Sequence, residues 1–337
     1  MEIRPLDPHD PEALAAWHTT YLAADVHERP HAAPWRLEEV RADLTGSRVG
    51  ESFAPWSGVV DGEVVCCGML ILPLKDNLEL AILRVWTRPD SRGRGYGSAM
   101  LDHLVAEAGA AGRTTLLADT YVPFAAPEDG AGHPDPDFAY RRGFSFDLCD
   151  VVRVLPLPVD PARLDTLAAE AAPHHADYTL RQFAGPVPDD LVSEFGALVG
   201  SLTVEAPSGA VALEEEILDE ERIRADEAVF AAAGRTKYTT VAVDPSGLPV
   251  AYSELVVPAF DPGVVFQWGT LVRPGHRGHR LGLATKVANL RWLQQEAPDR
   301  DRLYTMNAEV NAQMIGINET LGFRPVERHV SVHRRLS

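Results

Sequence analysis

Lysine is almost missing from this chain: only Lys75, Lys237 and Lys286 occur, and arginine supplies nearly every other basic residue. Together with the abundance of alanine and proline, this reflects a GC-rich gene and says nothing about mechanism. Cysteine is as sparse. Cys66, Cys67 and Cys149 make an odd count without a CxxC spacing, which excludes a disulfide frame and a zinc site. Cys66 and Cys67 stand in an apolar run and read as small buried hydrophobes. No apolar run approaches the length of a membrane helix. The start, MEIRPLDPHDPEAL, has no apolar core of a signal peptide. A reducing cytoplasm is the expected location, with no membrane partner. Positive charge is in deficit, and the formal net charge is −18. Such a surface repels nucleic acid and suits cationic ligands, although a plain solubility charge explains it equally well.

Two nucleotide motifs are also missing. The phosphate loop GxxxxGK[ST] does not occur. Nor does the chain alternate strand and helix in the way a dinucleotide-binding GxGxxG requires.

What the chain does have is a repeat. EIRPLDPHDPEAL at 2–14 aligns with TLRQFAGPVPDDL at 179–191, so that Ile3, Arg4, Pro11 and Leu14 meet Leu180, Arg181, Pro188 and Leu191. TRPDSRGRGYG at 87–97 then matches VRPGHRGHRLG at 272–282, and RRGF at 141–144 matches TLGF at 320–323. Three landmarks in one order at nearly constant spacing predict duplicated modules of ordinary domain size, over 1–158 and 178–337. The proline-broken stretch PLPVDPAR at 156–163 and the short helical run 164–172 predict a linker over 159–177.

In the second module, strands are expected over 178–183, 239–244, 249–257, 264–272 and 302–310, and helices over 188–202, 282–296 and 311–322. Gly322 closes the last helix. The acidic stretch 212–233 reads as helical. The first module repeats this order, with strands near 58–61, 63–72, 79–87 and 114–121 and a helix at 98–109. Its Pro/Gly/Asp-rich segment 123–137 reads as a loop, so its last helix is expected to be shortened or lost.

In both modules a hydrophobic strand ends in x-R-P and a loop then opens a helix. Glycines bring the backbone close to a ligand, and free amides at a helix start attract phosphate. Arginines add charge-assisted bonds. Strand, then R-x-x-G-x-G, then amphipathic helix, then strand and a terminal Gly-Phe, resembles the GNAT superfamily of acetyltransferases. Arg92, Gly95 and Gly97 match that motif in full. Arg277 and Gly282 match it in the second copy, where Arg280 replaces the first glycine. HRGHRLGLATKVANLRWL and TMNAEVNAQMIGINETLGF resemble, more narrowly, actinobacterial tandem proteins related to mycothiol synthase and kasugamycin-type aminoglycoside acetyltransferases.

The resemblance implies an α+β (mixed α/β) fold: two tandem GNAT domains, each a twisted, mostly antiparallel sheet flanked by helices, with a splayed central strand pair. It implies acetyl-CoA as cofactor. The pyrophosphate would lie on Arg92, Gly93, Arg94, Gly95 and Gly97, or on Arg277, Gly278, His279, Arg280, Leu281 and Gly282. The pantetheine arm would lie between strand Trp268–Val272 and strand 304–308, with Asn311 nearby. An amide near Leu271 or Val272 would stabilise the oxyanion. The tyrosine that many members place four residues before the terminal glycine is replaced by Ala139 and Asn318, and Tyr140 reads as packing.

Unexplained polarity gathers in the second half. Glu254 interrupts an apolar strand, Gln267 and Thr270 precede the loop, and Asn307, Glu309 and Asn311 follow the next strand. Glu254, Asn307 and Glu309 are the candidate catalytic residues. An outward-facing strand position for Glu254, and turn or cap roles for Asn307 and Asn311, are the plain alternatives. VEAPSG at 204–209 with the run Glu214–Glu221 reads as an acceptor rim or a solvated face. The expectation is transfer of acetyl to a primary amine of a small molecule, such as an aminoglycoside-like antibiotic or an amino-sugar metabolite. The second half would be catalytic, the first a degenerate partner that still binds coenzyme A, and the protein a monomer or homodimer. A non-catalytic acyl-CoA or antibiotic sensor, and a mycothiol-synthase-like enzyme, are the alternatives. No metal is expected.

Overall fold

A computed structural model describes residues 1–336, which divide into two compact units. The first holds Met1–Asp150, Ser208–Leu213 and Glu327 onward; the second holds Val151–Pro207 and Glu214–Val326. Each is built on mostly antiparallel strands with one parallel pair.

In the first unit, β1 (Glu2–Pro5) leads to α1 (Pro11–Asp25), which Asp10 caps by accepting from the amides of Glu12 and Ala13. Then come α2 (Leu37–Thr45), β2 (Glu51–Val60), β3 (Glu63–Pro73) and β4 (Leu80–Thr87). Next are α3 (Tyr96–Ala110), β5 (Thr115–Pro123), α4 (Pro134–Tyr140) and β6 (Ser145–Pro156). The strands lie in the order β1-β2-β3-β4-β5, and only β4 with β5 is parallel. Side-chain alternation makes two cores. Leu83, Leu116 and Phe144 meet α3 on one face; Met69, Ile71 and Trp86 meet α1 on the other. Cys66, Cys67 and Cys149 are buried free thiols, as the apolar context implied for the first two.

The second unit repeats the order. It contains α5 (Pro161–Ala171), β7 (Thr179–Ala184), α6 (Val192–Gly200), α7 (Leu202–Glu205), α8 (Glu220–Ala232), β8 (Arg235–Val243) and β9 (Pro249–Pro258). It continues with β10 (Val264–Val272), α9 (Leu281–Glu296), β11 (Arg302–Ala308) and α10 (Ala312–Leu321). Its strands run β7-β8-β9-β10-β11, and β10 with β11 is the parallel pair. Leu255, Leu283, Leu290 and Phe323 fill the α9 face; Phe195, Leu198 and Tyr252 fill the α6 face. Gly322 closes α10 with φ +102°, as its C-cap position requires.

The structure corrects four expectations. Residues 159–177 are not a linker: α5 packs on α9, and Val159, Leu164, Leu167 and Ala171 belong to the second core. The modules do not end at 158 and 337 either. Val151–Pro156 of β6 belongs to the second unit, beside β11, and β12 (Arg324–Arg335) pairs antiparallel with β5 in the first through Glu327–Arg335. The acidic run has no regular structure up to Asp219, which caps α8 by accepting from the Arg222 amide. The last helix of the first copy is shortened to α4, as expected, but it starts at Pro134 within the segment read as a loop and runs on to Tyr140.

Candidate active site

The two Arg/Gly loops have one backbone. In each, a single 3₁₀ turn (Pro89–Ser91 or Pro274–His276) precedes an arginine whose Nε donates to the carbonyl of the last strand residue. Arg92 reaches Thr87 at 3.4 Å and Arg277 reaches Val272 at 3.3 Å. Two left-handed residues follow: Gly93 at φ +76° and Gly95 at +85°, Gly278 at +87° and Arg280 at +51°. Arg280 thus holds the conformation for which the motif uses glycine, at a steric cost of about 1 kcal/mol. Helices α3 and α9 then start with unpaired amides facing the loop.

Their charges differ. Among the described residues, Arg92 and Arg94 make no ion pair. Arg277 pairs with Glu205 at 2.8 Å, Arg280 with Glu170 at 3.8 Å, and the His279 ring meets the carbonyl of His174. Both ion pairs are largely exposed, each worth no more than about 1 kcal/mol. A phosphate can displace them. Leu281 and Gly282 are buried at the start of α9, so their backbone carries any contact.

Beyond each loop the parallel pair opens into a fork. In the first unit β4 and β5 are in register only over Leu80–Leu83 and Thr115–Ala118. The next residue on each strand closes the gap, with Arg84 Nε 3.2 Å from Asp119 Oδ2. Asp119 also meets His329 Nε2 at 3.3 Å, and Asp150 flanks the other ring nitrogen. Burial pushes the His329 imidazole down, but the two carboxylates outweigh it and raise it to about 9. His329 is therefore a cation at neutral pH and a poor base. Arg29 lies over the Tyr121 ring and bridges Asp25 and Glu327. This ion network was missed in the sequence because its members stand up to 300 residues apart.

In the second unit β10 and β11 are in register over Val264–Phe266 and Arg302–Tyr304, and Trp268–Val272 diverges from 305–308. Gln267, next in line, turns back to β9. Its Nε2 donates to the Glu254 carbonyl at 2.7 Å and to Thr270 Oγ1 at 3.3 Å. These bonds brace a β-bulge, for the β9 register slips by one residue between Gln267 and Thr270. Arg273 donates its amide to Val250, so by alternation the Val272 amide points into the fork and that of Leu271 toward β9.

The candidate catalytic residues fall on opposite faces. Glu254 shares the α6 face with Tyr252; it is only 4% exposed and sits 3.1 Å from the Lys237 ammonium. It is not an outward-facing strand residue. Asn307 lies on the α10 face. Its Oδ1 accepts from Arg153 and from Asn318 Nδ2, both at 3.0 Å. Glu309 follows β11 in the turn, half-buried, and its charge acts on Arg153. Asn311 caps α10, accepting from the Met314 amide. Tyr140 donates to the Asp129 carbonyl. Of the stretch read as an acceptor rim, Ser208 and Gly209 belong to the first unit, in the segment Ser208–Leu213 that the Val211 amide ties down by donating to Asp147 Oδ1.

Four residues before Gly322, at the place of the proton-donating tyrosine, Asn318 instead accepts from Lys286 Nζ at 2.7 Å. Lys286 is fully buried on α9, and burial pushes its ammonium down to about 7. A base whose folded value is depressed penalises the fold most below pH 7, and that penalty lifts as pH rises toward the unfolded value near 10.5. Compared with Lys286→Met by denaturant titration, wild type should gain on the order of 4 kcal/mol between pH 7 and pH 10. Parallel curves for the two proteins would show that Lys286 does not titrate in this way.

Residues 14–126 match the model of the Acetyltransferase (GNAT) family, a span within the first unit. Over 99% of its length the chain is similar in structure to a tandem GNAT protein from the clavulanic acid biosynthesis pathway, covering 98% of that chain at a TM-score of 0.78 and 26% identity. It is also similar to a GCN5-related N-acetyltransferase from Sphaerobacter thermophilus (TM-score 0.63, 15% identity, 99% and 95% covered) and to a putative acetyltransferase from Pyrococcus horikoshii (0.54, 12%, 100% and 89%). Among curated proteins, nothing matches. The chain thus has a tandem GNAT fold, carries a GNAT acetyltransferase domain, and is an acyltransferase of that class. No helix among the described residues is long and apolar enough to cross a membrane.

Proposed function

We propose that the protein is an acetyl-CoA-dependent N-acetyltransferase acting on a primary amine of a small, cationic molecule, such as an aminoglycoside or an amino sugar, and that transfer takes place in the second unit. The observation that carries this is the fork between β10 and β11. It stays open because Gln267 bonds back to β9, whereas Arg84 and Asp119 bridge its counterpart. Acetyl-CoA supplies the acyl group as a thioester. The Gly278–Gly282 backbone would hold its phosphates, and the Val272 amide is poised to donate to a developing oxyanion. The Glu254 carboxylate would orient the attacking nitrogen and take its proton. With Asn318 in the tyrosine position, water protonates the leaving thiolate.

A binding-only role for the first unit follows from the same comparison. Among the described residues its loop arginines make no ion pair and suit coenzyme A, yet its fork is pinned, and two carboxylates beside that fork hold His329 in its charged form.

The deciding experiment follows thiol release from acetyl-CoA over a panel of aminoglycosides, amino sugars and polyamines. Amine-dependent release with at least one class is expected. Coenzyme binding without release on any amine would favour a sensor instead.

A further inference from the structure

In the second unit, two aromatic rings and a buried carboxylate surround the ammonium of Lys237. Phe230 of α8 and Trp268 of the β10 bulge stand nearly perpendicular, at 88°, with ring centroids 5.0 Å apart. The Lys237 ammonium lies 5.0 Å from the Phe230 centroid and 5.9 Å from that of Trp268. Glu254 Oε1, 3.1 Å away, forms the floor. Two aromatic walls and one carboxylate are the elements that recognise an alkylammonium.

The cage is deep at its floor and open at its mouth. The Glu254 side chain is 5% exposed, while that of Lys237 is 28% exposed. A carboxylate buried to this degree is strongly destabilised without a cation. The polar groups beside it have spare capacity. Thr239 is the register partner of Glu254 and Tyr252 lies two residues along the same face. Both are fully buried, and among the described residues Thr239 Oγ1 and Tyr252 Oη have no hydrogen-bonding partner. An internal salt bridge alone leaves those two hydroxyls unexplained; a ligand with polar groups flanking its amine would use them.

We infer that Glu254, Phe230 and Trp268 form the subsite for the ammonium group of the acceptor, and that Lys237 occupies it as a stand-in that an incoming cation must displace. The inference rests on the reading that the second unit receives the amine. It makes Lys237 a specificity gate: an acceptor with one weakly held amine competes poorly, and one with several positive charges competes well.

The test uses n-butylammonium chloride, with sodium chloride at equal ionic strength as control and no acyl donor. Binding is read from tryptophan fluorescence, with Trp268→Phe to assign the signal. Lys237→Ala should lower the half-saturating concentration at least tenfold relative to wild type, and adding Glu254→Gln should cancel the gain. If Lys237→Ala does not fold, Lys237→Gln keeps part of the stem without the charge, and the same tenfold change is expected with methylammonium. Binding no tighter than wild type in the lysine variant, or binding that survives Glu254→Gln, overturns the subsite. Thiol release in the amine panel would still decide the transfer reading by itself.

Discussion

Replacing Gly269 by alanine should abolish acyl transfer and weaken the second unit. Gly269 occupies the bulge, and a Cβ there would lie 2.3 Å from Tyr252 Oη and 2.6 Å from its Cε2. The ring cannot step aside, since Tyr252 is fully buried and packs edge-on against Phe195 at 5.5 Å. The strand must therefore move, and with it Trp268, Thr270 and the Val272 amide. Overpacking of this kind costs on the order of 3 kcal/mol, and a shift of about 1 Å at a reacting centre costs about a hundredfold in rate. Steady-state thiol release and a denaturant titration measure the two effects separately. Tyr252→Phe provides the contrast: its hydroxyl has no partner to lose, so stability should change little. Full turnover in Gly269→Ala would move the reaction away from the bulge.

The second large effect separates the loops. Arg277→Ala with Gly282→Val should cut turnover at least a hundredfold. The pair loses one charge-assisted phosphate contact and puts a side chain where even a Cβ lies 3.3 Å from Ile317. Arg92→Ala with Gly95→Ala should leave turnover within about threefold and remove coenzyme binding from the first unit, seen as one fewer site by calorimetry. The reverse pattern would place transfer in the first unit, whose sequence is the one that matches the acetyltransferase model. Glu205→Gln adds a smaller check: with its competitor gone, Arg277 should bind coenzyme A a few-fold more tightly.

Local chemistry was legible in the sequence, and long-range pairing was not. Helix α9 falls within a residue of its expected span because apolar periodicity and the preceding loop both mark its start. Gly322 closes α10 for the reason its position suggested. The loop readings rest on residues adjacent in sequence, and so does the odd placement of Arg280. By contrast, Lys237 meets Glu254 only because β8 and β9 pair in one register, and Lys286 of α9 meets Asn318 of α10 across 32 residues of sequence. Glu254 therefore looked like a candidate without a partner. Asn307 looked exposed to chemistry, although two donors already hold its oxygen. The bulge left no mark beyond Trp268-Gly269, and α5 looked like a spacer because its packing surface lies on another helix.

The exchange of the sixth strand sets a limit on how this chain assembles. Arg328 bonds to the Phe124 carbonyl across 204 residues, and the pairing of β12 with β5 spans that whole interval. The first unit cannot complete its sheet during synthesis until the second has been made, so β5 waits with an unpaired edge that invites wrong partners. The second unit draws Val151–Pro156 from sequence made before it. A cut after residue 158 would thus produce two incomplete sheets rather than two small enzymes. The ancestral repeats, though still readable side by side in the sequence, are no longer separable as proteins.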